Sequence, residues 1–146
     1  MGQWVNMTNY YVSPSGNDST GTGTMVLPWL TIQKAVNTAT NGDTILIRAG
    51  TYQPTTVNAS VTISGKTGAG WLIIQPYANE TVIIDGSTSG INDHDGIFYI
   101  NGSARIRISG LYLQNSRYAG IMINNQNSSD ITIDNNHITN SSSRAI

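Results

Sequence analysis

The chain has 146 residues, enough for one domain with a sizeable core, and only 10% are charged, for a net charge of -1. That balance leaves no basic surface to neutralise phosphates, and no apolar run approaches the ~20 residues that span a bilayer, so neither nucleic acid nor a membrane is an expected partner. Cysteine is absent, which excludes disulfides, thiolate metal ligands and cysteine nucleophiles.

In chain order, a short strand is expected at Asn9–Ser13, then a Gly/Ser/Thr loop at Pro14–Thr24. One helix is expected at Thr31–Thr40. Its Ile32, Ala35, Val36 and Ala39 fall at i, i+3, i+4 and i+7, and Asn41-Gly42 supplies a stop. Residues 1–42 therefore read as a strand, a loop and an N-terminal capping helix. Short alternating runs follow over residues 43–146. Strands are expected at Thr44–Arg48, Val61–Ser64, Trp71–Gln75, Val82–Asp85, Gly96–Ile100 and Arg105–Ser109. Four more are expected at Leu111–Gln114, Gly120–Asn124, Ile131–Asp134 and His137–Thr139. Trp71 is expected in the early core.

Arg105–Ser116 recurs without a gap as Asp130–Ser141, at a spacing of 25. Ile106 maps to Ile131, Ile108 to Ile133, Leu113 to Ile138 and Asn115 to Asn140. Gly65, Gly86, Gly110 and Asn135 each follow a strand end of the type VTIS, VIID, IRIS or ITID, at intervals of 21, 24 and 25. Gly and Asn enter the left-handed region cheaply, so these four predict one repeated corner, with Asp85 and Asp134 at equivalent places before it. The fold expected is all-β, a right-handed parallel β-helix of three-strand rungs with an N-terminal capping helix. About four rungs are expected, with equivalent residues stacked along the axis and an apparently uncapped C-terminal end. Such an end predicts end-to-end self-association.

The segment YYVSPSGNDSTGTGT, with PWLTIQKAVNTATNGDTILIRAGTY after it, resembles the entry segment of secreted right-handed β-helix proteins of the pectate-lyase-like superfamily. SGKTGAGWLIIQPYANETVIIDG is similar to the next rungs of those proteins, and GIFYINGSARIRISGLYLQNSRYAGIMI to their repeating body. The resemblance runs from about Tyr10 to Ile146. It is specific for the fold and its cap and much less so for a reaction. It implies a polysaccharide partner and, in lyase relatives, calcium-assisted proton abstraction at a uronate by clustered Asp residues with a Lys or Arg base. Those residues come from middle rungs of a longer helix. An extracellular or cell-surface location is implied too, with weak support from seven N-x-[ST] sequons.

The resemblance places a substrate groove along Gly96–Ile100 and Gly120–Asn124. With Ile97, Tyr99, Ile121 and Ile123 inward, Phe98 and Met122 face out, and neither is a carboxylate or a base. The loops that feed these strands are better candidates. Asp93, His94 and Asp95 precede one strand, Arg117 and Tyr118 precede the next, and Arg144 follows below. Asp93 and Asp95 are the candidate ligands for calcium or another divalent metal, and with His94 they are alternatively candidates for acid and base. Arg117, Tyr118 and Arg144 are candidates to hold a uronate carboxylate and stack on a sugar ring. The plainer alternative is a solvated loop with a cross-rung Asp–Arg pair of little consequence. Lys66 is a weaker candidate base. Two functions stay open: a carbohydrate-active, polysaccharide lyase-like protein, or a non-catalytic β-helix that binds glycan or builds a surface structure.

Overall fold

The computed structural model describes residues 7–54, 61–88, 96–124, 126–142 and 146. Among these residues, twelve short strands and one α-helix make up a right-handed parallel β-helix. Sheet A contains β1 (Asn9–Val12), β2 (Thr44–Ile47), β5 (Leu72–Pro76), β8 (Ala104–Ser109) and β11 (Ser129–Asp134). Sheet B contains β3 (Gly50–Tyr52), β6 (Val82–Asp85), β9 (Tyr112–Gln114) and β12 (His137–Thr139). Sheet C contains β4 (Val61–Ser64), β7 (Gly96–Asn101) and β10 (Ala119–Asn124). The chain passes A, B, C in each turn, and each strand pairs in parallel with its counterpart in the next.

Parallel register stacks like on like, and the stacks are the core. Ile45, Ile74, Ile108 and Ile133 form one column on sheet A. Tyr52, Ile84, Leu113 and Ile138 form another on sheet B. Val61, Phe98 and Ile121 form a third on sheet C. The expected partners Ile106/Ile131, Ile108/Ile133 and Leu113/Ile138 face each other as the 25-residue repeat requires.

Three expectations are corrected. Phe98 points inward and is fully buried, and it pairs with Ile121 at a spacing of 23, whereas Ile97 was expected there at 24. The cause is the start of β7. Gly96 pairs with Ala119 in a space where a Cβ would lie 2.8 Å from a backbone oxygen, and Ile97 turns aside to pack on the bend at Gly86. Trp71 is 40% exposed, outside the core, because inward alternation on β5 starts at Leu72. The four look-alike corners are also three different ones. Gly110 and Asn135 stack between sheets A and B with φ of 75° and 56°, while Gly65 stacks on Gly102 after sheet C with φ of 69° and 53°. Gly86 follows sheet B, inside a 3-10 turn at Gly86–Thr88, and is not left-handed. It is needed for space, since an added Cβ would meet the Asn115 carbonyl oxygen at 3.2 Å. Only the 25-residue interval compares like with like, and Asp85 and Asp134 lie on different sheets.

The helix α1 (Ile32–Thr38) is shorter than its apolar stripe suggests. Thr31 caps it, the side-chain oxygen accepting from the Lys34 N–H at 3.2 Å, and Ala39 is already extended. Ile32, Ala35 and Val36 are buried. Gln33 presents its amide to the open side of β4. Its Nε2 donates to the Thr62 carbonyl at 3.0 Å and its Oε1 accepts from the Thr62 N–H at 2.7 Å. One side chain thus supplies the two bonds a neighbouring strand would make there, an arrangement consistent with a cap.

Candidate functional site

Side chains that alternate away from the core on sheet C fall into two rows. Thr62, Tyr99 and Met122 form one, and Ser64, Asn101 and Asn124 the other. Tyr99 takes the outward place expected for Phe98, and Met122 faces out as expected. The Asn124 Nδ2 donates to the Tyr99 hydroxyl at 3.3 Å and steadies that ring across two coils. The face therefore offers one aromatic ring, amides and hydroxyls, but no carboxylate and no basic group.

Of the loop candidates, Asp93, His94, Asp95 and Arg144 lie outside the described residues. Arg117 and Tyr118 lie in the turn that feeds β10. Arg117 is exposed and has no ion-pair partner among the described residues. Tyr118 is half-buried, its N–H donating to the Ser116 hydroxyl at 3.3 Å. Ser116 is 1% exposed and its hydroxyl donates to the Ala119 carbonyl, which fixes the entry into β10. A short polar lock thus sets where Arg117 and Tyr118 stand beside the sheet C face.

All six carboxylates among the described residues are committed elsewhere. Asp18 accepts from the Leu30 and Thr31 N–H groups and from the Thr31 hydroxyl ahead of α1. Asp43 accepts from the Thr8 and Thr40 N–H groups. Glu80 accepts a two-pronged pair from Arg48, which with the Ala49 N–H holds its carboxyl below the usual range. Asp134 is held the same way by Arg107, at 2.7 Å. Asp130 lies 3.8 Å from Arg105, one coil away. Burial of Asp85 works to raise its pKa, yet hydrogen bonds from Ser87, Gln114 and Asn115 outweigh that and hold it at about 2. Five of the six thus accept structural hydrogen bonds, and Asp130 makes only a long, exposed ion pair.

No three of His, Cys, Asp and Glu stand close enough to hold a metal among the described residues. The described groups therefore do not make a calcium site, and the candidate ligands Asp93 and Asp95 lie outside them. Lys66 is not placed as a base either. Its ammonium donates to the Ala39 carbonyl at the end of α1, and burial lowers its pKa. It ties the helix to the coil below.

A second surface went unnoticed in the sequence. Where sheets A and B meet there is a cleft of about 810 Å³, lined among others by Tyr112 and His137, whose rings lie 5.3 Å apart. The only signal was a drop in corner length between coils, which periodicity does not weigh.

Comparison with known proteins follows the fold. A family model described as the Pel9A-like right-handed β-helix region matches residues 10–145. Pectate lyase PEL9 of Emericella nidulans is 47% identical over 76 residues, which cover 52% of this chain and 18% of that protein. The uncharacterized protein YwoF of Bacillus subtilis is 34% identical over 136 residues, covering 88% of this chain and 28% of the relative. The solved structure of pectate lyase Pel9A superposes with a TM-score of 0.68 at 21% identity, over 90% of this chain and 34% of the other. A rhamnogalacturonan lyase superposes with a TM-score of 0.60, also at 21% identity, over 80% of this chain and 32% of the other. The chain thus spans a fifth to a third of the length of these relatives, and it belongs to the Pel9A-like right-handed β-helix family.

Proposed function

We propose that this chain supplies the cap and first coils of a carbohydrate-active, polysaccharide lyase-like β-helix, and that its described residues hold polysaccharide without cleaving it. One observation carries the reading. The described carboxylates are already held in hydrogen bonds and ion pairs, while the sheet C face leaves an aromatic ring, amides and hydroxyls partly open to solvent. Proton abstraction needs a group of matched pKa within reach of the substrate. Sugar binding needs a ring face and hydrogen-bonding groups in a fixed frame.

In this reading Tyr99 gives a platform for the C–H face of a sugar ring. Ser64, Asn101 and Asn124 exchange hydrogen bonds with sugar hydroxyls, and Arg117 pairs with a uronate carboxylate from the turn beside β10. Family membership and the lyase names of the relatives support a polysaccharide partner. An extracellular location belongs to the same proposal, supported by those relatives and by a sequon at the exposed Asn127.

The test pairs two measurements on the 146-residue chain. Affinity electrophoresis through polygalacturonate or rhamnogalacturonan is expected to retard it, and Tyr99→Ala or Arg117→Ala to reduce the retardation. Ultraviolet absorbance of unsaturated product, with calcium added, is expected to stay flat. Steady product formation by this chain would overturn the non-catalytic reading, and free migration through every polyuronate would overturn binding.

A further inference from the structure

The corner between sheets A and B changes length along the axis. From β5 to β6 the chain runs through five residues, Tyr77 to Thr81. From β8 to β9 only Gly110 and Leu111 intervene, and from β11 to β12 only Asn135 and Asn136. The longer corner cannot lie flush with the shorter ones. Ala78 and Asn79, at φ of 46° and 61°, carry it outward, and the Arg48–Glu80 pair pins its far side. Arg48 also lies 5.0 Å over the Tyr77 ring. A shelf results, and under it the cleft crosses three coils. Its volume, about 810 Å³, lies in the range of roughly 300–1,000 Å³ seen for small-ligand sites.

Gly110 and Asn135, the left-handed residues of the two shorter corners, line it too. Tyr112 is 46% exposed and its ring meets that of His137 at an angle of 51°, so the two make an aromatic strip along the helix axis. Gln75 and Asn79 bring amides to the rim. Charge is what the lining lacks. Glu80 is neutralised by Arg48, and no Lys or Arg lines the cleft. A polyuronate would find no guanidinium or ammonium to meet its carboxylates. A neutral sugar would find a ring face and amides. Neighbouring coils stand ~4.8 Å apart, close to the length of one pyranose in an extended chain, so each coil can meet one sugar.

The geometry points to a second glycan site at this corner, which takes a neutral, extended oligosaccharide stacked on Tyr112 and His137 and hydrogen-bonded by Gln75 and Asn79. It lies away from the sheet C face and does not rest on the reading given for that face.

Titration of the isotope-labelled 146-residue chain with cellohexaose, and separately with hexagalacturonate, tests it. Cellohexaose is expected to shift the amides of Gly110, Tyr112, Asn135 and His137 together. Tyr112→Ala and His137→Ala are each expected to weaken that binding about tenfold, the loss of one stacked ring. His137→Phe, which keeps an aromatic ring, is expected to retain it. Both positions are exposed, and unchanged thermal midpoints would verify that the variants fold. Shifts elsewhere, no shifts, unchanged affinity in the alanine variants, or equally tight hexagalacturonate binding at the corner would each overturn the proposal.

Discussion

Between β2 and β7 the coils differ in length, and buried polar side chains, each used once, hold them in place. Asn41, 8% exposed, donates to the Ala104 and Gly70 carbonyls and accepts from the Gly68 N–H, joining coils that share no period. Asp43 gathers the N–H groups of Thr8 and Thr40, and Gln33 satisfies the edge of β4. From β8 onward repetition takes over. Ile131 lies on Ile106, Asp130 on Arg105, and the Asn140 amide donates to the Asn115 side-chain oxygen at 2.7 Å. Even the left-handed residues stack, Arg105 with Asp130 and Asn115 with Asn140. Irregular coils thus depend on particular residues, while regular ones spread the same task over many equivalent contacts.

That contrast can be attacked from both sides. Ile108→Ala opens a cavity in the middle of a four-isoleucine column and is expected to cost ~2–5 kcal/mol in urea unfolding. Ile133→Ala, at a half-buried place on the last coil, is expected to cost less than half of that. An equal loss at both would show that the end coil is as well packed as the centre. Next in size is Asn41→Ala, which strands the Ala104 carbonyl and is expected to cost ~1–3 kcal/mol. Asn140→Ala, at an exposed ladder position, is expected to stay within ~0.5 kcal/mol.

Asp85 sits where the two regimes meet, accepting from Gln114 and Asn115 of the following coil. Its folded pKa of about 2 lies below the unfolded value of 3.8, so its contribution is complete above pH ~4 and fades as pH falls through about 2. The size at stake is roughly 2 kcal/mol, and Asp85→Asn is expected to flatten that part of an acid-unfolding profile. A further pair of variants separates two kinds of glycine. Gly86→Ala drives a methyl against the Asn115 carbonyl oxygen and is expected to cost ~1–3 kcal/mol. Gly65→Ala meets nothing within 4 Å and is expected to cost only the backbone strain of φ 69°, about 1 kcal/mol. Thermal unfolding of the two variants side by side would show whether space or conformation governs each corner.

These residues also show what the sequence made legible. The last coils could be read directly because two gapless blocks place isoleucine on isoleucine, and the pattern and the packing have the same cause. Earlier coils resisted, since strands of three or four residues carry too few alternations to set their phase. β3 was missed because Tyr52 is its one buried residue, and β7 was read one place out because Ile97 and Phe98 are both buried for different reasons. Gly86 imitated a left-handed corner in composition while serving close packing. The fold needed only the repeat. The sheet C face needed the correct phase of β7, and the corner cleft needed the lengths of three unrelated turns compared in space.

The 25-residue coil has one further consequence. Its top and bottom surfaces carry matching core residues and corner asparagines in the same places, so a tandem copy of that stretch would dock on both neighbours through contacts of the kind they already make. Elongation by duplication then requires no new interface to evolve, and any groove laid along one edge lengthens in step. The number of coils becomes a quantity that selection can adjust freely, independent of the stability of each one.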